Sequence, residues 1–146
     1  MRGGEPDADL AVVLGQLGRI LALAGRYGEA TPLLEQALEL AEQLELPELY
    51  SHSLNSKAIV LLNADRLDEA GVLLHRALEV AEEHGLTDAA MRAYNNLELA
   101  LEAQDRSAEV MALVERQLEA ARRAGFRAWE LRILTNSLGA LVRLGR

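Results

Sequence analysis

The sequence repeats with a period of forty residues, and this repeat limits the possible folds more than any other feature of the chain. Residues 25–30 (Gly-Arg-Tyr-Gly-Glu-Ala) align with residues 65–70 (Asp-Arg-Leu-Asp-Glu-Ala) and 105–110 (Asp-Arg-Ser-Ala-Glu-Val), with no insertion or deletion between them. Apolar columns keep the same phase: Leu21, Leu61, Leu101 and Leu141; Leu33, Leu73 and Leu113; Leu38, Leu78 and Leu118. Such a fixed period is typical of folds in which each unit packs against the next.

Each forty-residue row contains two helical patterns. Ala30, Leu34 and Leu38 recur at a spacing that places them on one face of a helix, and Glu35 and Glu39 lie on another face. Composition agrees, because aromatic residues make up only 3% of the chain and Leu and Ala dominate its apolar half. We therefore predict seven helices, at about 8–24, 27–44, 48–64, 67–84, 87–104, 107–124 and 127–144.

Turn residues separate these helices. Gly25 suits a left-handed backbone conformation, and we expect Asp65 and Asp105, in the same column, to cap the free amides of the helices that follow them. Pro47 suits the first turn of a helix.

The repeat resembles the tetratricopeptide repeat. Its spacing of large and small residues is met by two rows: Leu14, Leu17-Gly18, Leu21, Ala30 and Leu34; then Leu54, Ala58, Leu61, Ala70 and Leu74. The resemblance implies an all-α, right-handed α-solenoid of antiparallel helix hairpins, with about three and a half repeats. The period is longer than the usual one of about 34 residues, and long variants of this kind resemble those in bacterial regulatory proteins.

The predicted organisation is one domain with a short leading segment. We expect a flexible N-terminus at 1–7 and a solenoid at 8–146, with repeats at about 8–46, 47–86 and 87–126 and a terminal capping helix at 127–144. The repeated phrase begins again at Gly145-Arg146, so the sequence is either a piece of a longer array or ends there.

Composition and motifs argue against several classes of function. The net charge of −8 and the lack of a basic run disfavour direct nucleic-acid binding, and no uncharged apolar run is long enough to span a membrane. There is no Cys, no His-Glu-x-x-His and no phosphate-binding or serine-hydrolase motif, so we expect no catalytic residues, no metal site and no cofactor. We expect a cytoplasmic protein, because no signal-type segment opens the sequence.

The resemblance implies that the first helix of each hairpin lines a concave groove that binds a peptide or a partner protein. The polar residues predicted to line this groove are Arg19, His52, Asn55, Arg92, Asn95, Asn96, Arg132 and Asn136. An Asn side chain can bind the backbone of an extended peptide, and Arg92 and Arg132 can each form forked bonds to a carboxylate. The alternative function is a self-assembling homo-oligomeric scaffold that uses its terminal helices.

One charged residue interrupts a column expected to be core. Lys57 aligns with Leu17 and Leu97. Either Lys57 pairs with Glu98 of the next hairpin, or its aliphatic stem lies in the core while its ammonium reaches water.

Overall fold

The computed structural model describes residues 7–143, and the side chains of all of these except 140, 141 and 143. Within this range the chain forms seven α-helices and no strand: α1 (Ala8–Leu23), α2 (Tyr27–Gln43), α3 (Pro47–Asn63), α4 (Leu67–Glu83), α5 (Thr87–Ala103), α6 (Ser107–Ala124) and α7 (Arg127–Arg143). Each predicted helix end within the described residues is confirmed to within one residue, and the predicted end of the last helix at 144 lies outside them. The predicted flexible segment, apart from Asp7, and the phrase restarting at Gly145 lie outside the described residues.

The backbone turns out of each helix at regular intervals of twenty residues. The residues with a positive φ are Gly25, Glu45, Asp65, Gly85, Asp105 and Gly125, with φ between 52° and 79°. A left-handed residue directly after a helix reverses the chain and lets the last carbonyls accept hydrogen bonds, such as Leu46 N to Ala41 O at 2.9 Å. The forty-residue sequence period is therefore two backbone units of twenty.

The predicted capping role of Asp65 and Asp105 is wrong. Both residues take the left-handed position that Gly25 takes in the first row, with φ of 60°. The N-cap residues are instead Arg66 and Arg106, and neither makes a side-chain capping bond. Asp is one of the few residue types that tolerates a positive φ, which explains why it can take the place of Gly in the second and third rows of this column.

Two glycines let α1 approach its neighbours closely. A Cβ atom on Gly18 would lie 2.7 Å from Leu34 Cδ2 on α2, and one on Gly15 would lie 2.6 Å from Leu49 Cδ1 on α3. A side chain at either position would force the facing leucine to move, so the glycines favour this close spacing within the first hairpin and between the first two hairpins.

The described part of the chain divides between Ala100 and Leu101 into two compact units. In the first unit α1 packs against α2 and α3, and α3 packs against α2 and α4, so that consecutive helices form stacked hairpins. In the second unit α6 packs against α7, with Trp129 and Ile133 of α7 and Leu113, Val114 and Ala121 of α6 buried. This helix packing fits an all-α repeat solenoid, whereas the single domain over 8–146 stays a prediction.

The residues aligned with Leu17 and Lys57 in the repeat are not buried in every repeat. Leu17 is 44% exposed, because no described helix covers that face of α1. In α3 the same face meets α2, where Lys57 Nζ lies 3.8 Å from Glu35 Oε1 and the Lys57 side chain is 31% exposed. Lys57 therefore reaches the rim of the helix interface and meets an acidic residue of the preceding helix.

Candidate functional site

The predicted groove residues of the first unit converge where α1, α3 and α5 supply polar side chains. Arg92 of α5 donates a hydrogen bond from Nη1 to Nδ1 of His52 on α3, over 2.8 Å. Both side chains are partly buried. Arg19 of α1 is exposed and close enough to act electrostatically on both of them. We call Arg19, His52 and Arg92 the basic cluster.

The bond to Arg92 fixes the protonation state of His52. A guanidinium has only N–H donors, so Nδ1 of His52 must accept and cannot carry a proton. The imidazole is then neutral, with its proton on Nε2. The nearest carboxylate oxygen to Nε2 is Oε1 of Glu48, at 3.9 Å, which is too long for a hydrogen bond.

The electrostatics of the cluster agree with this assignment. Burial lowers the pKa of His52 below its ordinary value, and the charges of Arg92 and Arg19 lower it further, while Glu48 and Asp88 partly oppose them. Burial also lowers the pKa of Arg92, and the charge of Arg19 adds to the effect against the opposing charge of Asp88. The two guanidinium groups thus destabilise each other across this face.

Among the described residues, neither arginine of the basic cluster has a carboxylate partner. Within residues 7–143, Arg92 bonds only to His52, and Arg19 has neither an ion pair nor a hydrogen bond. The turn arginines Arg26, Arg66 and Arg106 behave differently, because each makes two bonds to the glutamate three residues later. Carboxylates are abundant in this chain, yet none of those in the described residues lies within ion-pair distance of Arg19 or Arg92.

Two predicted amides lie beneath the cluster and bond to each other. Asn96 of α5 donates from Nδ2 to Oδ1 of Asn55 on α3, over 3.3 Å, and Asn55 donates from Nδ2 to the carbonyl of Ser51, over 3.2 Å. Asn55 is fully buried and Asn96 is 9% exposed. The bond between the two amides therefore joins α3 to α5, and the complete burial of Asn55 leaves it no surface for a direct contact with a peptide.

The remaining predicted residues lie apart from this pair. Asn95 is partly buried on α5, one position before Asn96. Arg132 and Asn136 are exposed on α7, in the second unit, and their role in binding stays a prediction.

Sequence reasoning missed two acidic neighbours of the cluster. Glu48 and Asp88 each stand four residues before His52 and Arg92, respectively, and so lie one helical turn away on the same face. They also align with each other in the forty-residue repeat, so the spacing held a signal for them. Ser51 was missed as well: it is fully buried and donates from Oγ to the carbonyl of Ala77, over 2.8 Å.

Other kinds of site find no support in residues 7–143. No three His, Asp or Glu side chains of this range come together in a way that could hold a metal ion. No helix in the same range is long and apolar enough to cross a membrane.

Comparison with known proteins identifies the first row of the repeat. Residues 10–46 match the family model described as tetratricopeptide repeat. No curated protein matches the chain. Repeats of this family are typically non-catalytic and mediate protein–protein interaction. The tetratricopeptide resemblance predicted from the sequence is thereby confirmed for residues 10–46, which span most of α1 and all of α2.

Proposed function

We propose that the chain is a non-catalytic scaffold that binds an acidic segment of a partner protein at the basic cluster of α1, α3 and α5. The observation that supports this proposal is that Arg19 and Arg92 have no carboxylate partner in the described part of a chain whose net charge is −8. A carboxylate from a partner would supply an anionic acceptor, which neither guanidinium group has among the described residues.

The energies indicate what else the partner must provide. A hydrogen bond to a charged group contributes about 1.5–3 kcal/mol, and binding at about 1 mM already requires about 4.1 kcal/mol. One carboxylate is therefore too little for stable binding, and apolar contact must be added. Leu99 offers it, because it is 57% exposed and stands two turns after Arg92 on the same face of α5. We infer a partner segment that carries an apolar side chain about 10 Å from its carboxylate.

An octapeptide array tests the proposal. Four pools separate the sources of a carboxylate: peptides with or without Asp and Glu, each with a free or an amidated C-terminus. Arg92→Ala is compared with Arg123→Ala, which removes the same charge from an exposed position on α6.

We expect the wild-type protein and Arg123→Ala to bind pools that carry a carboxylate, and binding to weaken with added salt. Arg92→Ala should bind these pools about tenfold more weakly, as expected for the loss of about 1.4 kcal/mol. Equal binding of carboxylate-bearing and carboxylate-free pools, or full binding by Arg92→Ala, would rule the proposal out.

A second candidate is self-association through α1. Leu10, Val13, Leu17 and Ile20 are each exposed by 43–62% and follow the three-four-three spacing of a helix-pairing stripe. In α3 the equivalent face packs against α2, which supports the view that the α1 stripe can accept another helix.

Light scattering over a concentration series tests this candidate. A mass that increases with concentration would support a second copy as the occupant if Leu17→Glu abolishes the increase. The control is Val72→Glu, on the exposed face of α4, which should leave the increase unchanged. A monomer at every concentration would reject it. A place in a bacterial regulatory protein of the cytoplasm stays a prediction from the sequence.

A further inference from the structure

We propose that His52 takes up a proton when a carboxylate binds beside Arg92, so that the affinity of the basic cluster for an acidic segment increases as the pH falls from about 7 toward 5. This inference rests on the proposed function, and it adds a means of regulating the same site.

The geometry of the basic cluster holds His52 neutral. Nδ1 of His52 accepts the hydrogen bond from Nη1 of Arg92, over 2.8 Å. A proton on Nδ1 would set two N–H donors against each other, and this bond would be lost. The position of Arg92 therefore opposes protonation of His52 as long as no other acceptor is present.

A bound carboxylate removes this opposition. Its two oxygens have enough lone pairs to accept from the guanidinium of Arg92 and from a protonated Nδ1 of His52 together. The proton comes from the solvent, and no covalent bond to the ligand forms or breaks. Binding then exchanges one hydrogen bond between two protein groups for two charge-assisted bonds to the ligand.

The charges that face His52 set the balance. Arg19 faces it from α1, Arg92 and Asp88 face it from α5, and Glu48 lies one turn before it on α3. These four groups sum to zero, so an incoming carboxylate leaves the cluster with one negative charge in excess. Uptake of one proton by His52 restores neutrality, which favours the protonated imidazole in the complex.

The affinity should then follow the linkage between binding and protonation. At pH values above the pKa of His52 in the complex, His52 is neutral in both the free and the bound protein, and the affinity does not change with pH. Between that pKa and the lower pKa of the free protein, affinity increases by up to tenfold for each pH unit as the pH falls. The carboxylates of a peptide ionise near pH 4, so they stay charged in this range.

The experiment uses the intact chain and the acidic octapeptide that binds most tightly in the array. Its dissociation constant is measured by fluorescence anisotropy between pH 5.5 and 7.5, and proton uptake is measured by calorimetry in buffers with different heats of ionisation. His52→Gln is the informative variant, because its amide oxygen can still accept from Arg92 but does not titrate. His75→Gln, at an exposed position on α4, is the matched control.

We expect the wild-type protein and His75→Gln to bind about tenfold more tightly at pH 5.5 than at pH 7.5, with uptake approaching one proton per site near pH 6. His52→Gln should change by less than about twofold over the same range. A pH-independent wild-type affinity, or the same pH dependence in His52→Gln, would overturn the linkage while leaving carboxylate binding in place. Failure of every acidic peptide to bind at any pH would overturn the proposed function and the linkage together.

Discussion

Arg92 donates its 2.8 Å hydrogen bond to the residue that precedes it by forty positions, His52, so two equivalent residues of successive repeats are in direct contact. Stacking of hairpins explains this contact, because it places a column of the sequence along a line across adjacent helices. The Asn55–Asn96 bond, with a separation of 41 residues, is offset by one position from such a column. Columns therefore identify neighbours, and the rotation of each helix decides which of them bond.

The buried amide pair should stabilise the contact between α3 and α5. Asn55→Ala and Asn96→Ala should each lower the free energy of unfolding by about 1–3 kcal/mol, because each leaves a buried partner without its hydrogen bond. Urea denaturation of both single variants and the double variant should show a coupling of about 0.5 kcal/mol or more. Asn63→Ala, at an exposed position of α3, is the control and should change the stability by less than about 0.5 kcal/mol. Strict additivity of the two buried substitutions would contradict the account.

The stability of the free protein should depend on pH through His52. Burial and the charge of Arg92 lower the pKa of His52 in the folded state, whereas in the unfolded chain it keeps its ordinary value near 6.5. The unfolded chain therefore binds the proton more tightly, and stability that is present above about pH 6.5 is lost as the pH falls through the folded-state pKa.

Chemical denaturation at several pH values measures this effect. Between about pH 7 and pH 5 the wild-type protein should lose more stability than His52→Gln, and His75→Gln should follow the wild-type protein. Identical pH profiles for the wild-type protein and His52→Gln would show that His52 titrates alike in both states.

The close approach of α2 at Gly18 predicts that replacing glycine by alanine has opposite effects on stability at Gly18 and at Gly71. In Gly18→Ala the new methyl would lie 2.7 Å from Cδ2 of Leu34, and the resulting strain of about 1–3 kcal/mol should exceed the gain in helix propensity of about 0.5–1 kcal/mol. Gly71→Ala meets nothing within 4 Å, so only the gain should remain. Thermal unfolding should place the first variant below the wild-type protein and the second above it. A shift of the same sign in both would contradict the packing at Gly18.

The left-handed turn at Asp65 predicts a preference for glycine. A side chain at φ of 60° costs about 1–2 kcal/mol for most residues, so Asp65→Gly should be more stable than Asp65→Ala by about 1 kcal/mol. Ala64→Gly, one position earlier at φ of −92°, should bring no gain. Urea midpoints of the three variants provide the comparison, and equal stability of the two Asp65 variants would argue against the assigned turn.

The helices were predictable from the sequence because their boundaries are local. The turn residues between the helices and the apolar spacing inside each helix are both readable without tertiary contacts, and every helix end within residues 7–143 agrees to within one residue. The role of Asp65 was misjudged because Asp both caps helices and tolerates a left-handed conformation, and only the backbone distinguishes the two.

The site was predictable only in part, because burial depends on packing from several sides. His52 and Arg92 follow from their shared column, whereas the complete burial of Asn55 reflects the position of α3, which packs against α1, α2 and α4. The pattern of one helix does not reveal how much of its surface its neighbours cover, so Asn55 was assigned to the groove although it lies buried between helices.

The most direct test of carboxylate binding at the basic cluster is nuclear magnetic resonance of ¹⁵N-labelled protein titrated with the acidic octapeptide. The account predicts that the largest chemical-shift changes occur at the side chains of Arg19, His52 and Arg92, and that the amidated peptide without Asp or Glu produces none there. Changes confined to α2 and α4 or to α6 and α7, with these three side chains unperturbed, would contradict it.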